Sequence, residues 1–128
     1  MTNKSFFTNF EESLILQRLW NFIAQNQIIR IKGLLGSSLS FYCSTIIKKS
    51  LNPSLFVFNN KEESLYFLND IETLNPEKKI FYFPELSKES YSNKYPNNYN
   101  LLQRTEVIEH LNFSKNKNSI IITHINAI

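Results

Sequence analysis

The stretch Ile28-Ile-Arg-Ile-Lys-Gly-Leu-Leu-Gly-Ser-Ser-Leu-Ser40 decides how this chain is read. Its β-branched opening predicts a strand over 28–31 with one wetter position at Arg30, Gly33 breaks the run, and a helical pattern begins at Leu39. A strand, a glycine turn and a helix in that order form the frame of a phosphate-binding loop, G-x-x-x-x-G-K-[ST]. Laid on that pattern, Gly33 takes the first glycine, Ser38 the second, Leu39 the lysine and Ser40 the terminal hydroxyl. The chemistry needs close backbone approach and a cation for the phosphates. Ser38 brings a Cβ, and Leu39 an apolar side chain, to those two positions. The expectation is a loop kept as architecture without its function. A plain strand-to-helix turn with no nucleotide role accounts for the same residues.

Working outward, the pattern of short apolar runs separated by helical segments continues to the end of the chain. Thr8-Asn-Phe-Glu11 reads as a capping box, and Leu16, Leu19, Trp20 and Ile23 make one apolar helical face behind it. After the glycine turn, Leu39, Tyr42, Cys43, Ile46 and Ile47 form a second face, with Lys48 and Lys49 in the last turn and Asn52-Pro53 as the stop. Leu55–Phe58 is a wholly apolar run, the mark of a strand covered on both faces. Asn60 and Glu63 open a helix whose core side is Phe67, Leu68, Ile71 and Leu74, ended by Asn75-Pro76. Ile80–Phe83 and Ile120–Ile122 are further strands. Between those two lie a polar surface loop over 85–100, a helix from Leu101 with Leu101, Thr105, Ile108 and Leu111 on its inner side, and a polar turn over 114–118. This alternation predicts an α/β fold of three layers, with a mainly parallel sheet of about four strands between helices. The domain reading is an N-terminal helical extension over 1–27 and an α/β domain over 28–128.

The chain has 128 residues with 42% hydrophobic content, enough for one cored domain. A net charge of +3 invites a nucleic-acid reading, but the lysines are scattered in pairs and only Arg18, Arg30 and Arg104 accompany them. That is not the concentrated stripe of a duplex-binding surface. Cys43 is the single cysteine, so no internal disulfide exists, and its place on an apolar stripe predicts a buried, inert thiol. No leader pattern or membrane-length apolar run is present, so a cytoplasmic protein without membrane partners is expected.

Catalytic groups are sparse. Asp70, the one aspartate, sits inside a helical pattern, and Glu85, which could imitate a magnesium-holding carboxylate, follows Pro84 and reads as a solvated loop residue. His110 reads as helix surface and His124 as a strand end, neither with a second ligand or a nucleophile at useful spacing. Glu106 and Glu109 are placed to pair with Arg104. No catalytic, metal or cofactor site is therefore expected. Tyr91, Tyr95 and Tyr99, with Arg104 behind them, make a possible interaction loop. These aromatics either stack on single-stranded nucleic acid or pin the loop to the domain, and the shortage of cations favours pinning.

Several stretches together resemble the amino-terminal, UvrB-like segment of bacterial transcription-repair coupling factors, the Mfd family. They are Gly33-Leu-Leu-Gly-Ser-Ser38, the helix Lys61–Glu72, Tyr82-Phe-Pro84, Asn98–Val107 with its Arg-Thr-Glu-Val end, and Ile121–Ile128. The resemblance runs from about Ile28 to the end. It implies a degenerate phosphate loop of the RecA-like helicase type at Gly33, Gly36, Ser37, Ser38, Leu39 and Ser40. In UvrB the equivalent loop is intact, with glycine, lysine and threonine where this chain has Ser38, Leu39 and Ser40. In the family, this module recruits UvrA, a later domain grips RNA polymerase, and motor domains use ATP to displace a stalled polymerase from DNA. The resemblance therefore implies a non-catalytic scaffold in an incomplete domain, with the remaining domains of the same repair factor as its partners. UvrA, polymerase and DNA would be reached indirectly. The alternatives are a degenerate nucleotide- or single-stranded-DNA-binding domain and a relic of a truncated or split gene.

Overall fold

A computed structural model describes residues 13–25, 28–86, 98–113 and 118–128. The chain forms two compact units, Met1–Ile46 and Ile47–Ile128. In the first, helix α1 (Leu14–Ala24) starts at Ser13, whose hydroxyl accepts from the Leu16 N–H at 3.4 Å. Leu16 and Leu19 are buried and Trp20 and Ile23 half-buried, so the apolar stripe faces inward as its spacing predicts. The capping box at Thr8–Glu11 lies outside the described residues.

No strand forms over 28–31. Residues 28–35 are irregular, Ile28 is fully exposed and Ile31 is 47% exposed. Ile29 and Ile31 would share one strand face with Arg30 and Lys32 on the other, but a strand gains stability only by pairing, and among the described residues no strand pairs with this run. Gly33 and Gly36 both adopt positive φ, +82° and +53°. A Cβ added at either would meet no atom within 4 Å, so these glycines serve the turn's backbone conformation. Helix α2 (Ser38–Lys49) follows. Of the face expected to be apolar, Ile47 is buried, Tyr42, Cys43 and Ile46 are half-buried, and Leu39 is exposed. The buried positions are instead Ser40, Ser44, Thr45 and Ile47. Small hydroxyl residues can be buried because they bond back to their own helix, as Thr45 does to the Phe41 carbonyl at 3.1 Å.

The second unit holds the sheet. Strands β1 (Ser54–Phe58), β2 (Ile80–Phe83) and β3 (Ile120–His124) are all parallel, in the order β1-β3-β2. Among the described residues the sheet thus has three strands, one fewer than the sequence suggests, because residues 28–31 do not join it. Helix α3 (Lys61–Leu74) connects β1 to β2, and α4 (Asn98–Phe113) connects β2 back to β3. The two crossovers run in opposite directions across the sheet. Keeping one hand while reversing direction places their helices on opposite faces. Both edges of β3 are paired and both faces covered, and all five of its residues are buried.

The register assigns each side chain to a layer. Leu55, Ile121 and Phe81 are aligned, as are Val57, Thr123 and Phe83, and this set faces α4. Phe81, Ile121 and Val107 of α4 form its core, with Phe83 packed against them. On the other face the Phe56 and Phe58 rings sit 5.0 and 4.8 Å from the Phe67 ring of α3. Helix α3 matches its sequence signals closely. Asn60 caps it by accepting from the Glu63 N–H at 2.9 Å, Phe67 and Ile71 are buried, and Asn75 ends it.

Helix α4 departs from expectation twice. It begins at Asn98, so 98–100 are helix and not loop, while 87–97 and most of the 114–118 turn lie outside the described residues. Its expected inner face is the outer one: Leu101, Ile108 and Leu111 are each nearly half exposed. The sheet side carries Asn100, Arg104, Val107 and His110, spaced at three to four residues. Apolar residues are spread around this helix without a single stripe, so polar ties choose its rotation. Within this layer α4 packs on β2, leaving Leu55 and Val57 of β1 61% and 47% exposed. β1 is also an edge strand without a charge in Ser54–Phe58. Such edges template pairing with another chain. Sedimentation at rising concentration should show reversible self-association, and Val57→Lys should abolish it; a wild type that stays monomeric throughout would contradict this.

Candidate functional site

Open parallel sheets bind ligands beyond the carboxyl ends of their strands. In this chain that edge gathers Tyr82, Glu85, Arg104, Thr123 and His124, with Ser64 from the first turns of α3. The strand ends put them there. His124 is the last residue of β3, Tyr82 lies near the end of the adjacent β2, and Glu85 follows β2 by two residues.

His124 is 1% exposed. Its Nδ1 lies 3.4 Å from the Tyr82 hydroxyl, which lies 3.2 Å from the Ser64 hydroxyl. Ser64 in turn donates to the Lys61 carbonyl at 2.6 Å. The direction along the series follows the histidine tautomer: a ring with its hydrogen on Nδ1 donates to Tyr82, and one with its hydrogen on Nε2 accepts from it. The other ring nitrogen, Nε2, is buried without a hydrogen-bond partner among the described residues and lies 3.6 Å from Oε2 of Glu85, a side chain 49% exposed. The sequence places His124 apart from any partner and Glu85 in solvent. The structure leaves Glu85 exposed but gives His124 two neighbours, Tyr82 and Glu85, because a residue past the end of one strand reaches its neighbour only through strand order.

A second group of contacts ties the same edge together. Arg104 Nη1 donates to the carbonyls of Pro84 and Ala127, each at 2.8 Å, and the guanidinium lies 3.9 Å from the Phe83 ring centroid. Asn100 donates to the Glu85 carbonyl at 3.0 Å, and Thr123 to the Phe83 carbonyl at 2.8 Å. Ala127 belongs to the short 3₁₀ turn Ile125–Ala127 that closes the chain after β3. Arg104 thus does not pair with Glu106 or Glu109 as its helix spacing suggests. Glu106 meets Lys79 instead, at 3.3 Å on the surface. His110 is not simply helix surface: its ring lies 4.5 Å from Phe81, and its Nε2 is buried without a partner among the described residues.

The remaining candidates are dispersed. Tyr91 and Tyr95 lie outside the described residues. Tyr99 is exposed in α4, not in a loop, and accepts from Gln103 at 3.4 Å. At the glycine turn, the Ser38 hydroxyl donates to the Leu35 carbonyl at 2.7 Å, closing the turn on itself. Leu39 is partly exposed, and Ser40 is buried. Burial pushes the Cys43 thiol from 9.0 up to about 12. Among the described residues, no three His, Cys, Asp or Glu side chains converge as a metal site, and no helix is long and apolar enough to cross a membrane.

Two outcomes follow. Removing the guanidinium in Arg104→Met strips two carbonyls of a charged donor, so urea unfolding should show a loss of about 2 to 3 kcal/mol, while Glu106→Gln, on an exposed pair, should cost under about 1 kcal/mol. The Cys43 thiol should react slowly with a disulfide reagent at pH 8 until urea unfolds the chain. Because its folded value lies above its unfolded one, the associated stability is complete below about pH 9 and is lost as pH rises toward about 12. Cys43→Ala should lack that component of alkaline destabilisation.

Compared with known proteins, the chain matches no family model, no curated protein and no solved structure.

Proposed function

We propose that this chain is a non-catalytic scaffold segment of a transcription-coupled DNA repair factor, the first part of a UvrB-like module of degenerate phosphate-loop type. The observation that carries the non-catalytic half is the state of the strand ends. Where an α/β enzyme presents its acid, base or metal ligands, this chain turns Ser64, Thr123 and His124 inward, each at most 1% exposed, and commits Arg104 to backbone carbonyls. Groups in such positions tie neighbouring elements together, which supports a structural role. The glycine turn supports the same reading, since Leu39 supplies no cation and the Ser38 hydroxyl closes on Leu35.

The repair assignment rests on the resemblance of Gly33–Ser38, Tyr82-Phe-Pro84, the Arg-Thr-Glu-Val run after Gln103, and the closing Ile121–Ile128. Three of these pieces meet in the structure: Arg104 donates to the carbonyls of Pro84 and of Ala127, the latter within the closing piece. On this reading the partners are the remaining domains of the same factor, with UvrA, RNA polymerase and DNA engaged through them in the cytoplasm.

The test has two arms. Wild type and the Ser38→Gly, Leu39→Lys double variant are titrated with a fluorescent ATP analogue and assayed for phosphate release with magnesium. Neither should hydrolyse ATP, and only the double variant should show weak binding, because the turn regains a cation while Glu85, the acid at the strand ends among the described residues, lies against His124. Tight wild-type binding or turnover would restore the enzyme reading. In the second arm, the chain is mixed with separately produced later domains of a coupling factor; absence of a stable complex on gel filtration would remove the repair assignment.

A further inference from the structure

Strand β2 is the second edge of the sheet, and among the described residues no strand pairs with its outer side. The phase of the ladder decides which of its backbone groups face outward. The Ser54 N–H donates to the Ser119 carbonyl at 2.9 Å, so Ser119, Ile121 and Thr123 turn their backbone groups toward β1, while Ile120, Ile122 and His124 turn theirs toward β2. In the parallel register the latter set bonds Phe81 and Phe83, which leaves the N–H and carbonyl of Ile80 and of Tyr82 on the open side. The Thr123 hydroxyl agrees with this phase, since it reaches the Phe83 carbonyl from the β3 side. The next outward position is Pro84, which has no N–H and whose carbonyl is held by Arg104. The open edge therefore presents donors and acceptors at Ile80 and Tyr82 and stops at a proline.

That edge is the floor of a groove. With α3 on one face of the sheet and α4 on the other, Leu68 and Glu72 of α3 and Tyr99, Gln103 and Glu106 of α4 enclose a cavity of about 240 Å³ against β2. A second cavity of about 320 Å³ adjoins it at Glu72 and Ile80 and continues to Pro76. Walls on both sides keep out another sheet with helices of its own and admit a single extended segment. The α3 wall has the spacing of a strand. Leu68 and Glu72, four residues apart, lie about 6 Å apart along their helix, close to the roughly 6.6 Å between alternate residues of a strand. Glu72 is exposed and has no ion-pair partner among the described residues, whereas Glu106 on the opposite wall already meets Lys79 at 3.3 Å.

We infer that the β2 edge is a docking groove for an extended peptide segment of another protein, one that carries an aliphatic residue and a lysine or arginine two positions apart. The segment's backbone pairs with Ile80 and Tyr82, its aliphatic side chain lies on Leu68, and its cation meets Glu72. Main-chain hydrogen bonds supply the affinity, and the α3 wall supplies the selectivity. The residue between the two points toward α4, where Tyr99 and Gln103 are bonded to each other at 3.4 Å and make no demand on it. Nothing in this surface depends on the repair assignment.

The test is an NMR titration of the isotopically labelled chain, dilute enough to be monomeric, with the end-blocked peptides Thr-Val-Thr-Arg-Thr and Thr-Arg-Thr-Val-Thr. Both orders are needed because an open edge accepts a strand in either direction. With one of them the Ile80 and Tyr82 backbone amides should shift saturably, while the amides of β1 stay in place. Glu72→Lys, on an exposed position, should weaken that peptide about threefold or more, and exchanging the peptide's arginine for glutamate should restore binding to the variant while weakening it for the wild type. A loss of fold would not be rescued by the exchange. Failure of both peptides to saturate, shifts confined to β1, or a charge exchange without rescue overturns the groove. Shifts of the β2 amides on concentrating the chain alone would put a second copy there and overturn it equally.

Discussion

Everything in the second unit depends on the pairing of Ile120–His124 along both of its edges. With β1 on one side and β2 on the other, its backbone groups are satisfied by neighbouring strands, and its side chains can then be buried on both faces. Each buried isoleucine contributes about 1.5 to 3 kcal/mol of transfer free energy, and three stand in succession there. The strand also sets the layers. Ile121 and Thr123 face α4, while Ile122 and His124 face α3, so one five-residue segment carries the core of both.

The central position has a chemical consequence at its carboxyl end. A histidine, a threonine and the start of a 3₁₀ turn arrive in a place with little water, and each polar atom there needs a partner from the protein. Thr123 takes the Phe83 carbonyl, His124 takes Tyr82, and the Ala127 carbonyl takes Arg104. The ties run between strands that are distant in sequence. This is why the edge holds together without an apolar plug.

Arg104 shows how one polar residue can overrule an apolar pattern. In α4 the leucines and isoleucine offer a plausible inner face, yet turning them inward would leave the Pro84 and Ala127 carbonyls without a charged donor. Two charge-assisted bonds and a stack on Phe83 outweigh the gain from burying partly exposed aliphatics. The result leaves apolar surface on the outside of α4 and on β1.

The local signals in the sequence were sufficient for most elements taken singly. Asn60 with Glu63 marks the start of α3, Asn75-Pro76 its end, and the runs at 55–58, 80–83 and 120–122 are strands, because capping and continuous β-branched or aromatic runs act over a few residues. The parallel α/β class follows from their alternation. What only the tertiary structure decided depends on partners far away in the chain. Residues 28–31 have the composition of a strand and are not one, since pairing and not propensity makes a strand. The rotation of α4 is chosen by carbonyls twenty and more residues away, and His124 meets Tyr82 and Glu85 only because β3 lies beside β2. No spacing in the sequence encodes that adjacency, since strand order is settled by which faces bury best once all the elements are together.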